Sequence, residues 1–135
     1  KNEELITLEI GKAENELAKS DSAAASSIRQ NLISARLAFE NVVEYIVDNY
    51  KKDTKEVYAG SVTYLRLAGL LTCGWQMALA FLVAENKMKE DPDFYSAKIV
   101  TSQFYAEHLL TQVAGLAQII IEGGSSCIAL EIKQF

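Results

Sequence analysis

Arginine is scarce in this 135-residue chain. Only Arg29, Arg36 and Arg66 supply it among thirteen basic residues, and the net charge is −5. Nucleic-acid binders concentrate positive charge on one face, and nothing here does, so nucleic acid is excluded as a partner. Anionic membrane surfaces are disfavoured for the same reason. Cysteine is nearly absent: Cys73 and Cys127 stand alone, outside any CxxC pattern, and make no disulfide framework. Two free thiols fit a reducing compartment, so a cytoplasmic location is expected. Cys73 lies in an apolar stretch and is read as core. Histidine occurs once, as His108, with Tyr105 rather than glutamate three residues before it. Bundle metalloenzymes place Glu-x-x-His pairs inward, and zinc sites need more His or Cys than this. No metal site is expected, and His108 is read as structural or solvent-facing.

Other absences narrow the chemistry further. There is no G-x-S-x-G elbow, no Walker loop and no GxGxxG. Glu107 and His108 are adjacent, which on a helix turns them away from each other. Gly123-Gly124-Ser125-Ser126 follows a helical pattern rather than opening one and is read as a helix stop. No catalytic, cofactor-binding or metal-binding residues are therefore expected within this chain. No signal peptide is visible. The chain begins with Lys1 rather than methionine, as expected of a processed chain or a piece of a longer one.

A single proline and seven glycines leave little turn material, so few and long elements are expected. Strand-like alternation and internal repeats are both missing. Apolar residues instead recur at steps of three and four, the helical period. The clearest series is Ile28, Leu32, Ala35, Phe39, Val42, Ile46 and Tyr50, with Arg29, Arg36, Glu40 and Glu44 off that stripe. A weaker series, Ile6, Ile10, Ala13 and Leu17, precedes it, with Glu3 and Glu4 suited to the helix dipole. One helix through residue 50 would measure about 75 Å at 1.5 Å per residue. A break near 20–22 is therefore expected, with Asp21 or Ser22 as the cap.

Lys51 and Lys52 close the second helix. Asp53 opens the third and resembles a capping box with Glu56. The third helix carries two stripes: Tyr64, Ala68, Leu71, Trp75, Ala78 and Leu82, then Val62, Leu65, Gly69, Thr72, Gln76 and Leu79. From 67 to 84 no residue is charged, a run near the length of a membrane span. Thr72, Gln76, two glycines and the closely bounding Arg66 and Glu85 favour a buried central helix instead, and no membrane span is expected. Gly60, Gly69 and Gly74 each cost about 1 kcal/mol relative to alanine in a helix, and close approach of a neighbouring helix is the simplest compensation. A polar run, 85–93, is the clearest loop, and Asp91 with Pro92 starts the fourth helix. Its stripe is Tyr95, Ile99, Ser102, Ala106, Leu109, Val113, Leu116 and Ile120, stopped by Gly123 and Gly124.

The fold expected is all-α: one domain over 1–135, an antiparallel up-down-up-down four-helix bundle with helices at about 2–19, 22–52, 54–86 and 92–122. The short apolar tail, 125–135, is read as a helical turn and an extended end. Aromatics crowd the third and fourth helices and are read as core or oligomer interface rather than a ligand pocket.

Four stretches carry a resemblance. Tyr64-Leu65-Arg66-Leu67-Ala68-Gly69 with Gly74-Trp75 resembles a YLRLxG…GW pattern. Asp91 to Lys98 resembles DPxFYxAK. Phe104 to Leu110 resembles F(Y/F)xE(R/H)LL. Ile128-Ala129-Leu130 with Phe135 resembles an (M/I)AL…F close. In this order, over roughly residues 28–135, they resemble the C-terminal domain of a bacterial acyl-CoA dehydrogenase subfamily that includes enzymes acting on 3-methylmercaptopropionyl-CoA. The family often has proline where Leu110-Thr111-Gln112 stands, so a straighter helix is expected here. The resemblance implies a longer oxidoreductase acting on CH–CH bonds, which binds FAD and oxidises an acyl-CoA to the 2-enoyl-CoA. Its glutamate base and flavin site would lie in preceding domains, so none is carried onto this chain. What it implies here is a packing or subunit-association element, partnered by those domains and by further copies in a homo-oligomer. The structural or interface residues singled out are Tyr64, Arg66, Gly69, Gly74, Trp75, Phe94, Tyr95, Phe104 and His108. Two other readings are a free-standing bundle mediating protein–protein contact and a small-molecule binder with a cavity near Trp75 and Gly69.

Overall fold

The computed structural model describes the backbone of residues 2–135 and side chains from Glu4 onward. Lys1 and the Glu3 side chain, placed by the sequence at the start of the first helix, lie outside the described residues. The fold is all-helical, with no strand among the described residues. Helix α1 spans Asn2–Leu17 and α2 Ala23–Asn49. A short α3, Thr54–Ala59, precedes the long α4, Ser61–Lys87. Helix α5 is Pro92–Tyr105, followed by a π-helical turn, Ala106–Leu110. Then come α6, Gln112–Glu122, the single turn α7, Gly124–Cys127, and a 3-10 turn, Ile132–Gln134.

Local chemistry explains most boundaries. Ser22 caps α2, its side chain accepting from the Ala25 N–H at 3.1 Å. The Asp91 side chain accepts from the Phe94 N–H at 3.1 Å, with Pro92 in the first turn of α5. Asp53 does not cap as expected: its side chain makes no capping bond to α3. The loop between α1 and α2 is tied to the far end of α4, where Ser20 and Ser22 both donate to Glu85 Oε1, at 2.8 and 3.1 Å.

Two expected helices are not continuous. The third, expected over 54–86, breaks at Gly60, whose N–H bonds back only three residues, to the Val57 carbonyl. Gly60 is buried against α6, and an added Cβ would sit 3.2 Å from Ile120 Cγ2. The small residue lets the α3–α4 corner close on that helix. The fourth, expected over 92–122, changes to π geometry at 106–110, and Thr111 falls outside both flanking helices. The straighter helix expected at Leu110–Gln112 is therefore not found. Bonding i→i+5 takes up one extra residue. As a result Leu110, not Leu109, is buried with Ala106 and Val113.

The core runs the length of the domain. Ile10, Ala13 and Leu17 of α1 join Ile28, Leu32, Ala35, Phe39 and Val42 of α2. Leu67, Leu71, Ala78 and Phe81 of α4 meet Ala106, Leu110, Val113 and Ile120 from the last helical stretch. Helix α4 packs on α1, α2, α5 and α6. It is not buried all round, as its composition had suggested. Val62, Leu65 and Val83 are 81%, 73% and 51% exposed on the side away from Leu67 and Phe81. By length and composition α4 is the one helix among the described residues apolar enough to cross a membrane, its most apolar 18-residue stretch having a mean hydropathy of 1.8. Its packing on α1, α2, α5, α6 and the π turn is that of a domain helix with one bare face.

Candidate functional site

Polar side chains of this domain are mostly used on the domain itself. Glu14 of α1 is buried, and Arg36 of α2 donates to both its oxygens, from Nε to Oε1 at 2.7 Å and from Nη2 to Oε2 at 3.1 Å. Arg36 Nη1 also donates to Glu40 at 2.8 Å, and Arg29 Nε donates to the Glu14 carbonyl at 3.1 Å. The hydrogen bond to Glu14 raises the Arg36 pKa above its usual value, against the opposing effect of burial. Charge-assisted bidentate pairing of this kind is strong and geometrically specific. Arg36 and Glu40 read from the sequence as solvent-facing residues. The stripe pattern of α2 carried no sign that a buried carboxylate on α1 would claim them.

Tyr105 ends α5 with its hydroxyl donating to the Leu70 carbonyl at 3.0 Å. That carbonyl then accepts from a side chain of another helix. Burial pushes the phenol from its usual 10.0 up to about 12, with the Cys73 thiol as the next cause. Cys73 itself is exposed, not core as expected, because it falls on the bare side of α4. In the π turn, Glu107 Oε1 accepts from Gln103 and from Ser27 of α2, each at 2.8 Å. Those bonds, Gln103 first, hold its pKa below the usual 4.5, with a smaller contribution from neighbouring His108.

The residues singled out by the sequence do not gather into one site. Tyr64 is half-buried with its ring stacked on Phe39, centroids 6.1 Å apart. Gly74 is buried where α4 meets the π turn, and an added Cβ would lie 2.8 Å from Leu110 Cγ. Trp75 packs on the core, and its buried Nε1 has no partner among the described residues. Buried Ser102 Oγ on α5 is likewise unpaired. Arg66 is exposed and donates to Gln112 across the α4–α6 boundary at 3.1 Å. Gly69 is exposed with no atom within 4 Å of an added Cβ, so it does not mark a close approach inside the domain. Phe94 and Tyr95 meet edge to face at 5.1 Å, with Lys98 Nζ 5.7 Å from the Phe94 ring. Phe104 stacks on His108 at 4.3 Å, and both are exposed.

Three shallow grooves accompany these residues. One of about 310 Å³ lies among Val43, Val47, Val57, Tyr58, Gly60 and Tyr64. A second, about 270 Å³, is bounded by Glu4, Thr7, Phe39, Val43 and Val47. A third, about 350 Å³, runs between Leu79, Ala80 and Val83 of α4 and Phe94, Tyr95 and Lys98 of α5. Among the described residues no group of three or more His, Cys, Asp or Glu is placed to hold a metal ion. The three arginines are engaged within the domain, Arg29 with the Glu14 carbonyl, Arg36 with the Glu14 carboxylate and Arg66 with Gln112.

The geometry defines an all-helical domain that exposes one apolar helix face and several aromatic rings. Its affiliation is specific. Residues 7–131 match the family described as acetyl-CoA dehydrogenase C-terminal like, and the chain belongs to that family. It is also 34% identical, over 125 residues, to a 3-methylmercaptopropionyl-CoA dehydrogenase of Ruegeria pomeroyi. That match covers 91% of this chain but only 21% of the relative, so the chain spans about a fifth of that protein's length.

Proposed function

We propose that this chain is the non-catalytic C-terminal helical domain of a longer FAD-dependent acyl-CoA dehydrogenase, serving packing or subunit association. The observation that carries this reading is the pairing of near-complete coverage on this side with one-fifth coverage of a dehydrogenase on the other. The longer cytoplasmic enzyme oxidises an acyl-CoA to the 2-enoyl-CoA, with FAD and the base in domains before this one, and it assembles as a homo-oligomer. The present chain contributes shape rather than chemistry.

As an element of that enzyme it acts as one up-down-up-down bundle. The supporting contacts are between α4 and the last helical stretch, where Gly60 meets Ile120, Arg66 meets Gln112, and Leu79 and Val83 share a groove with Phe94 and Lys98, so that later positions on α4 meet earlier ones on its neighbour. On this reading α3 and the π turn are local departures within the third and fourth columns.

The test is the mass and flavin content of the native polypeptide that carries this sequence. A chain several times heavier than 14.9 kDa, purified with bound FAD and oxidising an acyl-CoA thioester, is the expected result. A native chain near 14.9 kDa without flavin overturns it in favour of a free-standing interaction bundle.

A further inference from the structure

We propose that the bare face of α4 is the docking surface for the preceding domain of the same dehydrogenase polypeptide. This rests on the function proposed above and adds the surface and its occupant. The face runs the length of α4 through Val62, Leu65, Gly69, Cys73, Leu79 and Val83. It bears no charge from 67 to 84, in a chain whose net charge is −5. Contiguous exposed apolar surface of this kind marks an interaction site, and a neutral strip suits a contact that stays closed rather than one steered by charge.

Gly69 adds to the case. A glycine within a helix costs about 1 kcal/mol relative to alanine. Gly74 offsets that inside the domain by admitting Leu110, whereas an added Cβ at Gly69 meets nothing within 4 Å. The compensation available to Gly69 is close approach from outside.

Two observations select the occupant. Four fifths of the matching dehydrogenase lies outside the stretch that this chain covers. A chain preceding this one joins it at the start of α1, where Glu4 and Thr7 share a groove with Val43 and Val47 of α2. Val43 and Val47 also line the groove beside Gly60, Ser61 and Tyr64, where α4 begins. The polypeptide therefore enters at the end of the domain where α4 begins, the end at which the face is most exposed, at Val62 and Leu65. Tethering at that point gives an upstream domain a high effective concentration there. A second copy has no such tether and brings a further net charge of −5.

Cys73 sits in the middle of the face, exposed, and serves as the reporter. The full-length native protein is treated with N-ethylmaleimide, and modification of the Cys73 peptide is followed by mass spectrometry. Its rate is compared with that of the same cysteine in denaturant. The expected result is protection of at least about tenfold, a measure of closed-state population, unchanged on dilution. In the Val62→Glu/Leu65→Glu variant, with helix content retained by circular dichroism, the protection is lost. Labelling near the denatured rate in the native protein overturns the proposal. So does protection that disappears on dilution, which assigns the face to a second copy, or protection that survives in the folded variant. A long flavoprotein with an unprotected Cys73 refutes the docking surface alone, whereas a native chain near 14.9 kDa removes the parent enzyme as well.

Discussion

Arg36 and Tyr105 illustrate how single side chains join helices here. Arg36 keeps 20% of its side-chain surface in water, while Glu14 keeps 8%. Removing one partner of a buried pair costs about 3–5 kcal/mol because the other charge is stranded. The partial exposure of Arg36 lowers that, and Arg36→Met is expected to destabilise the domain by about 2–3 kcal/mol. Urea denaturation measures it. Adding Glu14→Leu to Arg36→Met should recover part of the loss, and a purely additive pair would show that the two residues are not coupled. Tyr105 gives a pH dependence. Its folded pKa, about 12, lies above the usual 10.0, so the folded state holds the proton more tightly. The stability this confers is complete below pH 10.0 and is lost as pH rises toward about 12. Thermal melts across that window should show a decline that Tyr105→Phe diminishes. The variant should also lose about 1 kcal/mol at neutral pH with the hydrogen bond to Leu70.

At the scale of the element, the π turn and α4 form one device. The turn advances the inward series by one residue, so that Leu110 faces α4, and Gly74 provides the notch that receives it. Gly74→Val is expected to destabilise by roughly 1–3 kcal/mol through overpacking. Leu110→Ala should cost about 2–5 kcal/mol through the cavity it leaves. The two together should cost less than their sum, because each change relieves the other. Gly69 is the internal contrast. Gly69→Ala in the excised domain should be neutral or stabilising by up to about 1 kcal/mol. A loss of stability there would place a neighbour against Gly69 that the domain does not show.

The whole molecule combines a continuous core with an outer helix face that nothing in the domain covers. Produced on its own, the domain is expected to associate with itself through Val62, Leu65 and Val83. Sedimentation velocity should show weight-average mass rising with concentration, and Val62→Glu/Leu65→Glu should restore the monomer. A wild-type domain that stays monomeric at high concentration would mean that the face is tolerated in water.

The sequence alone determined the helical class, the α1–α2 break with its cap narrowed to Asp21 or Ser22, and the cap at Asp91. These follow from period, reach and local hydrogen-bonding chemistry, which act over a few residues. It also carried the family, through short motifs on α4 and α5. The tertiary structure decided what depends on contacts distant in the chain. Buried Glu14 drew Arg36 into a bidentate pair, with the more exposed Glu40 bonded to the outer side of the guanidinium. Gly60 broke the third helix because α6 comes up against it. The π turn exchanged Leu109 for Leu110, since the fit to Gly74 is set between helices and not along one. Composition made α4 apolar all round. Only packing showed which of its faces the domain itself uses and which it leaves free.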